Sequence, residues 1–148
     1  MFGKEEKKIL ITEFWEGFIE FMKTTSSKRG KRVAWVNYPT NVKGLFFRYY
    51  VDTKKAKISI DIQSKDEGIR EIHFEQFTEL RKILESYFGD QLIWEQEAIS
   101  EAKKPISQIY IELDGVNIFR KEDHEKIYAF LKENIIQLDD FWETYFDI

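Results

Sequence analysis

The stretch that decides the fold is residues 35–63, WVNYPTNVKGLFFRYYVDTKKAKISIDIQ. Apolar and polar residues alternate over residues 44–52 and again over residues 55–63, which is the period of a β-strand with one buried face. The charged residues between the two runs predict a short turn at Thr53 and Lys54. The stretch therefore predicts an antiparallel hairpin.

One face of this predicted hairpin combines aromatic, charged and amide side chains. The isoleucines of its second strand must face the core, so the opposite face shows Phe46, Arg48, Tyr50, Ser59, Asp61 and Gln63. The short turn places Asp61 opposite Phe46 or Phe47, with Arg48 as a near neighbour. We predict a cross-strand ion pair between Arg48 and Asp61, whose guanidinium fork could instead receive a carboxylate or a phosphate.

Three amphipathic helices flank the predicted strands. Apolar residues at three-to-four spacing predict helices over residues 4–24, 66–89 and 121–148, with Asp66 as an N-cap and Gly89 ending the second helix. Residues 32–38, 92–99 and 106–113 predict three further strands. The resulting order, α-β-β-β-α-β-β-α, indicates one α+β domain over residues 1–148, with a mainly antiparallel sheet and helices on one face.

Composition narrows the class of protein. The chain has 148 residues, of which 43% are hydrophobic, enough to bury one core without disulfides or metals. The absence of cysteine excludes disulfides, thiol catalysis and cysteine-based zinc sites. Charges are spread through the N-terminal segment and no apolar run reaches membrane-spanning length, so we expect a soluble cytoplasmic protein.

Charge argues against a protein that coats nucleic acid, because the formal net charge is −4. A local basic patch at residues 28–32, KRGKR, falls in a predicted turn. Solvated turn lysines are the commoner explanation for such a patch.

No recognisable motif supplies a nucleophile, a metal site or a phosphate-binding loop. His73 and His124 lie in separate predicted helices and lack the paired spacing of a zinc-binding helix. Ser59 and Ser107 have no identifiable base, and the glycines are scattered. We therefore predict no catalytic, metal-binding or cofactor-binding residues and no cofactor.

The order of the first six predicted elements also matches the core of PD-(D/E)XK nucleases, which makes Asp52 and Asp61 candidate metal ligands. In the predicted hairpin these carboxylates lie about five or six residues apart along the strands, or roughly 17–20 Å. Metal-assisted hydrolysis requires ligands that converge on the ion. Gln63 also stands where the nuclease motif has lysine, so a degenerate or active nuclease is the least favoured alternative.

Several runs of residues resemble an uncharacterised bacterial family, domain of unknown function 4268. They are WVNY with GLFFRYYVD, then AKISIDI, then FEQF at residues 74–77 and IIQLDDFW at residues 135–142. The resemblance spans nearly the whole chain. Members of the family are often fused behind restriction-endonuclease-like domains, which implies a role near DNA or in defence, but the family brings no established activity.

Two functions therefore stay open for the candidate binding face, which comprises Arg48, Asp61, Tyr50, Phe46, Tyr110 and Lys43. The favoured interpretation is a non-catalytic interaction or accessory domain that binds a protein partner or its own copy, since aromatic residues and arginine are typical of such contacts. The alternative is an accessory nucleic-acid-binding module, in which bases stack on the rings while cations follow the backbone. The acidic residues on the same face argue against the alternative.

Overall fold

The computed structural model describes residues 2–146, which form one sheet and a set of helices. In chain order the elements are α1 (Lys4–Met22), β1 (Leu45–Val51), β2 (Lys55–Ile62), α2 (Glu67–Glu79), α3 (Arg81–Phe88), β3 (Ile93–Ile99), β4 (Pro105–Asp114) and α4 (Lys121–Tyr145). A short 3₁₀ turn, Gly89–Gln91, links α3 to β3. The predicted α+β class is confirmed.

The sheet has the strand order β1-β2-β4-β3, and all neighbouring strands are antiparallel. Phe46 pairs with Asp61, and Arg48 pairs with Ser59, so the predicted hairpin register is confirmed. The turn is fixed by Asp52, whose Oδ1 accepts the backbone N–H groups of Lys54 at 2.8 Å and Lys55 at 2.9 Å. Aspartate favours such turns because its side chain can replace a backbone acceptor.

The core lies between one face of the sheet and the helices. Phe18 of α1 packs edge-on against Tyr49 at 5.1 Å, and Trp142 of α4 packs edge-on against Phe47 at 5.4 Å. Phe77 of α2 stacks on the same Trp142 at 6.4 Å. All three contacts lie on the side of the sheet that carries the isoleucines of β2, so α1, α2 and α4 cover that side and not the opposite one. No helix among residues 2–146 is both long and apolar enough to cross a membrane.

The predicted first strand, residues 32–38, is wrong. The segment that joins α1 to β1, residues 23–44, contains only one isolated bridge, between Ser26 and Arg32. Trp35 and Tyr38 are both buried although they are three residues apart, and Asn37 between them has a left-handed φ of 58°. An extended strand buries every second residue and does not adopt positive φ, so the backbone here turns instead.

The predicted second helix is interrupted, whereas its two ends are as expected. Asp66 caps α2 by accepting the Ile69 N–H at 3.1 Å, and Gly89 ends α3 with φ 73°. Leu80 has φ −98° and ψ 14°, which separates α2 from α3. The third predicted helix is α4, and the last two residues of that prediction lie outside the described part of the chain.

Candidate functional site

The sheet face opposite the helices holds a groove of about 540 Å³. Side chains of β1, β2 and β4 form its floor, and the turn between β3 and β4 forms one wall. The lining residues on which its chemistry depends are Arg48, Tyr50, Lys57, Ser59, Asp61 and Gln108. We refer to this recess as the sheet-face groove.

Asp61 lies at the bottom of the sheet-face groove with only 7% of its surface exposed. Its carboxylate accepts hydrogen bonds from Ser59 Oγ at 2.7 Å, Gln108 Nε2 at 3.0 Å and Gln63 Nε2 at 3.1 Å. A buried carboxylate needs such donors, because water no longer solvates it. Asp61 therefore joins β2 to β4 and has little capacity left for a ligand.

The predicted ion pair between Arg48 and Asp61 is wrong: no salt bridge joins them among residues 2–146. The guanidinium of Arg48 instead lies over the ring of Phe46, with Cζ 4.4 Å from the ring centroid. The difference arises because three neutral donors already surround the Asp61 carboxylate.

Lys57 is the second cation of the groove. Its Nζ lies 4.5 Å from the ring centroid of Tyr110 and 5.5 Å from that of Tyr50. The hydroxyl of Tyr50 donates to Asp52 at 2.9 Å, and the hydroxyl of Tyr110 donates to Glu95. The hydrogen bond to Asp52 is the main cause that raises the pKa of Tyr50, whereas burial, followed by Glu95, raises the pKa of Tyr110.

The carboxylates around this face are mostly engaged within the fold. Glu112 forms a salt bridge with Lys55, at 2.7 Å between Oε2 and Nζ. Asp52 holds the turn, Glu95 accepts from Tyr110, and Asp61 has its three donors. Glu101 stands apart, because it is exposed at the rim on the β3–β4 turn. Arg48 and Lys57 therefore face the groove with aromatic rings as their neighbours.

The structure brings together most of the predicted binding face. Arg48, Tyr50 and Asp61 line the groove, whereas Phe46 and Tyr110 lie beneath its two cations. Lys43 lies in the exposed loop before β1 and is not among the lining residues.

Two features of the groove were missing from the predicted face. Lys57 could have been included, because strand alternation places it on the same face as Ser59 and Asp61. The wall formed by residues 99–102 could not have been predicted from strand alternation, since it depends on the bulge in the pairing of β3 with β4 between Glu95 and Ala98.

Asp52 and Asp61, the candidate metal ligands of the nuclease alternative, lie toward opposite ends of the β1–β2 hairpin. Asp61 pairs with Phe46 near the beginning of β1, whereas Asp52 follows Val51 at the other end of that strand. Within residues 2–146, no group of three or more histidine, aspartate or glutamate side chains is placed to share a metal ion. Since Ser59, Gln63 and Gln108 all donate to Asp61, the groups of the groove that can contact a polar ligand are chiefly the cations Arg48 and Lys57.

The fold and groove together define a small α+β domain with one open, polar sheet face. The sequence matches the family model for Domain of unknown function (DUF4268) over residues 10–146, so the chain belongs to that family, as its resemblance indicated. No curated protein and no solved structure matches the chain.

Proposed function

We propose that this chain is a non-catalytic interaction domain that binds an acidic segment of a partner protein in the sheet-face groove. One observation carries the proposal: within residues 2–146 Arg48 and Lys57 form no salt bridge, while the carboxylates around them, apart from the exposed Glu101 at the rim, are engaged within the fold. A partner that supplies carboxylates would complete this arrangement. Complementary charge of this kind speeds encounter and fixes the register of the bound segment.

The positions of the two cations also support binding of a segment rather than of a single ion. Arg48 stands on β1 and Lys57 on the neighbouring β2. An arginine fork and a lysine at separate positions can each receive one carboxylate. Two acidic side chains of one extended peptide would therefore each meet one cation.

The aromatic rings next to the two cations argue against single-stranded nucleic acid as the ligand. Nucleic-acid platforms stack bases on free aromatic faces. Here Arg48 covers a face of Phe46, and Lys57 lies over Tyr110 and Tyr50. The net charge of −4 would further oppose a polyanion. An acidic peptide needs the cations but does not need the ring faces.

The proposal can be tested with a random peptide library selected on the wild-type protein and on the double variant Arg48→Gln/Lys57→Gln. Lys126→Gln is the matched control, since it removes one exposed cation on α4 away from the groove. We expect peptides rich in aspartate and glutamate from the wild type and from the control, and none from the double variant. Binding of an enriched peptide, measured by fluorescence anisotropy, should weaken about three- to tenfold for each single variant.

Two further measurements test the proposal against nucleic-acid binding and against self-association. Labelled single-stranded and double-stranded oligonucleotides, titrated at low and high salt, would overturn it if they bound in the groove with a steep salt dependence. Sedimentation of the wild type would overturn it in favour of self-binding if the protein associated and the double variant did not. Enrichment of neutral or basic peptides would also be incompatible with an acidic ligand.

A further inference from the structure

A second cavity, of about 200 Å³, lies on the helical side of the molecule and shares no lining residue with the sheet-face groove. The segment 23–44 forms one wall, and the C-terminal half of α4 forms the other. Its charged lining consists of Arg29, Lys31 and Arg32 from the segment and Asp139, Asp140 and Glu143 from α4. We call it the terminal cavity.

The walls of the terminal cavity are held by hydrogen bonds at several points. The hydroxyl of Tyr38 donates to Asp139, and Arg29 Nη2 donates to Thr144 Oγ1 at 2.6 Å. Within the segment, Trp35 Nε1 donates to the carbonyl of Thr25 at 2.9 Å. A cavity fixed in this way exists before a ligand arrives, which is usual for small-molecule sites.

Opposite charges line the two walls of this cavity. Within the described chain, no salt bridge joins any of its three cations to any of its three carboxylates. Arg29 is bound to a threonine, and Asp140 accepts from Tyr87 Oη at 2.8 Å. The side chains of Lys31 and Arg32 are exposed and carry no hydrogen bond to another part of residues 2–146. The cavity therefore separates a cationic wall from an anionic wall.

Asp139 supplies a second, independent indication that the cavity binds a ligand. It is 3% exposed, and its Oδ1 accepts from Tyr38, while no described residue donates to its Oδ2. Burial raises the pKa of this carboxyl, against the opposing effect of the Tyr38 hydrogen bond. A carboxylate with so little exposure to solvent favours a cationic donor beside it, and an ammonium in the cavity would supply one.

We infer that the terminal cavity binds a small zwitterion of the α-amino acid type, with its ammonium at Asp139 and its carboxylate toward Arg32 and Lys31. A simple anion would face three carboxylates, and a simple cation would face the basic wall, whereas a zwitterion meets complementary charge on both sides. The cavity volume of about 200 Å³ is below the usual range for drug-sized ligands, which favours a small ligand.

The first test is an NMR titration of the isotope-labelled full-length protein with a panel of the free amino acids, beginning with glycine and alanine. We expect saturable shifts of the backbone amides of residues 29–41 and 138–143. The N-acetyl derivative, which lacks the ammonium, and the methyl ester, which lacks the carboxylate, should each bind at least about tenfold more weakly. Inorganic phosphate or acetate that bound as well as the amino acid would overturn the inference.

Variants of the cavity provide the second test. Asp139→Asn keeps an acceptor for Tyr38 but removes the charge, and Arg32→Gln alters an exposed side chain that has no role in the core. Each should weaken binding about tenfold, with Lys126→Gln and Arg48→Gln as controls that leave it unchanged. The amide spectra report whether each variant is folded. If Arg32→Gln and Glu143→Gln, both exposed in the native protein, bind the amino acid like the wild type, the assignment is wrong.

Discussion

The sheet-face groove and the terminal cavity differ in how their charged side chains are paired. In the groove, Asp61 is surrounded by three donors, and the cations lie on aromatic rings. In the terminal cavity, carboxylates and cations lie on facing walls, and Tyr38 is the one donor to Asp139 among the described residues. The two buried aspartates therefore differ. Asp61 joins two strands of the sheet, whereas Asp139 is the residue to which we assign the ammonium of a ligand.

The largest expected effect concerns the aspartate that organises the sheet. We expect Asp61→Ala to lower the free energy of unfolding by about 3 kcal/mol, since each buried donor left without its acceptor costs roughly 1–3 kcal/mol. Urea denaturation measures this change, and Asp114→Ala at the exposed end of β4 is the control, with an expected change within about 0.5 kcal/mol. A loss below about 1 kcal/mol would mean that Ser59, Gln63 and Gln108 find other partners, and the contrast between the two aspartates would weaken.

The next prediction concerns the pH dependence of stability that Asp139 causes. Burial is the main cause that raises the folded-state pKa of Asp139 above its ordinary 3.8; Glu143 and Asp140 add to the rise, while Tyr38 and Arg29 oppose it. The unfolded chain therefore releases its proton first, and the wild type loses stability as the pH rises from 3.8 to the raised value. An asparagine side chain does not titrate, so Asp139→Asn should gain stability relative to the wild type across that window.

Thermal unfolding of both proteins from about pH 3 to pH 8 would measure this difference, with Asp114→Asn at the exposed end of β4 as the control. The relative gain should level off above the folded-state pKa of Asp139, because both the folded and the unfolded carboxyl are then ionised. A difference between Asp139→Asn and wild type that stays constant with pH would show that the carboxyl is no harder to ionise in the folded protein.

The smallest expected effect concerns the cations of the groove. Arg48→Gln should change the free energy of unfolding by less than about 1 kcal/mol, because an exposed cation over a ring contributes only about 0.5–1 kcal/mol. Equilibrium denaturation beside Lys126→Gln would measure it. A large loss would identify Arg48 as a structural residue and remove the reason to regard its guanidinium as available for a ligand.

Local patterns in the sequence were sufficient to predict the hairpin and the helix ends at Asp66 and Gly89. The register of β1 with β2 follows from alternation and from one aspartate turn, and Asp66 and Gly89 follow from the chemistry of helix caps. The predicted ion pair between Arg48 and Asp61 was wrong because a competing donor, Gln108, lies 47 residues from Asp61 in the sequence, on another strand. Such a competitor is set by tertiary structure, which hairpin rules do not describe.

The terminal cavity was missed for a different reason. The predicted strand at residues 32–38 assumed a period of two, whereas the burial of Trp35 and Tyr38 and the positive φ of Asn37 make a turn. One signal was present: Asp139 follows Leu138 and lies four residues after Ile135, on the buried side of α4. An acidic residue at a core position of an amphipathic helix indicates a buried carboxyl in need of a partner.

The contacts that close the terminal cavity also determine when during folding it can exist. Tyr38 and Asp139 are 101 residues apart, and Arg29 and Thr144 are 115 residues apart, whereas the β1–β2 hairpin closes through a turn of a few residues. Joining distant parts of a chain costs more conformational entropy and slows folding, so we expect these contacts to form after the hairpin. A molecule bound there would connect the segment 23–44 to α4, and it would slow the opening of the whole domain rather than of one loop.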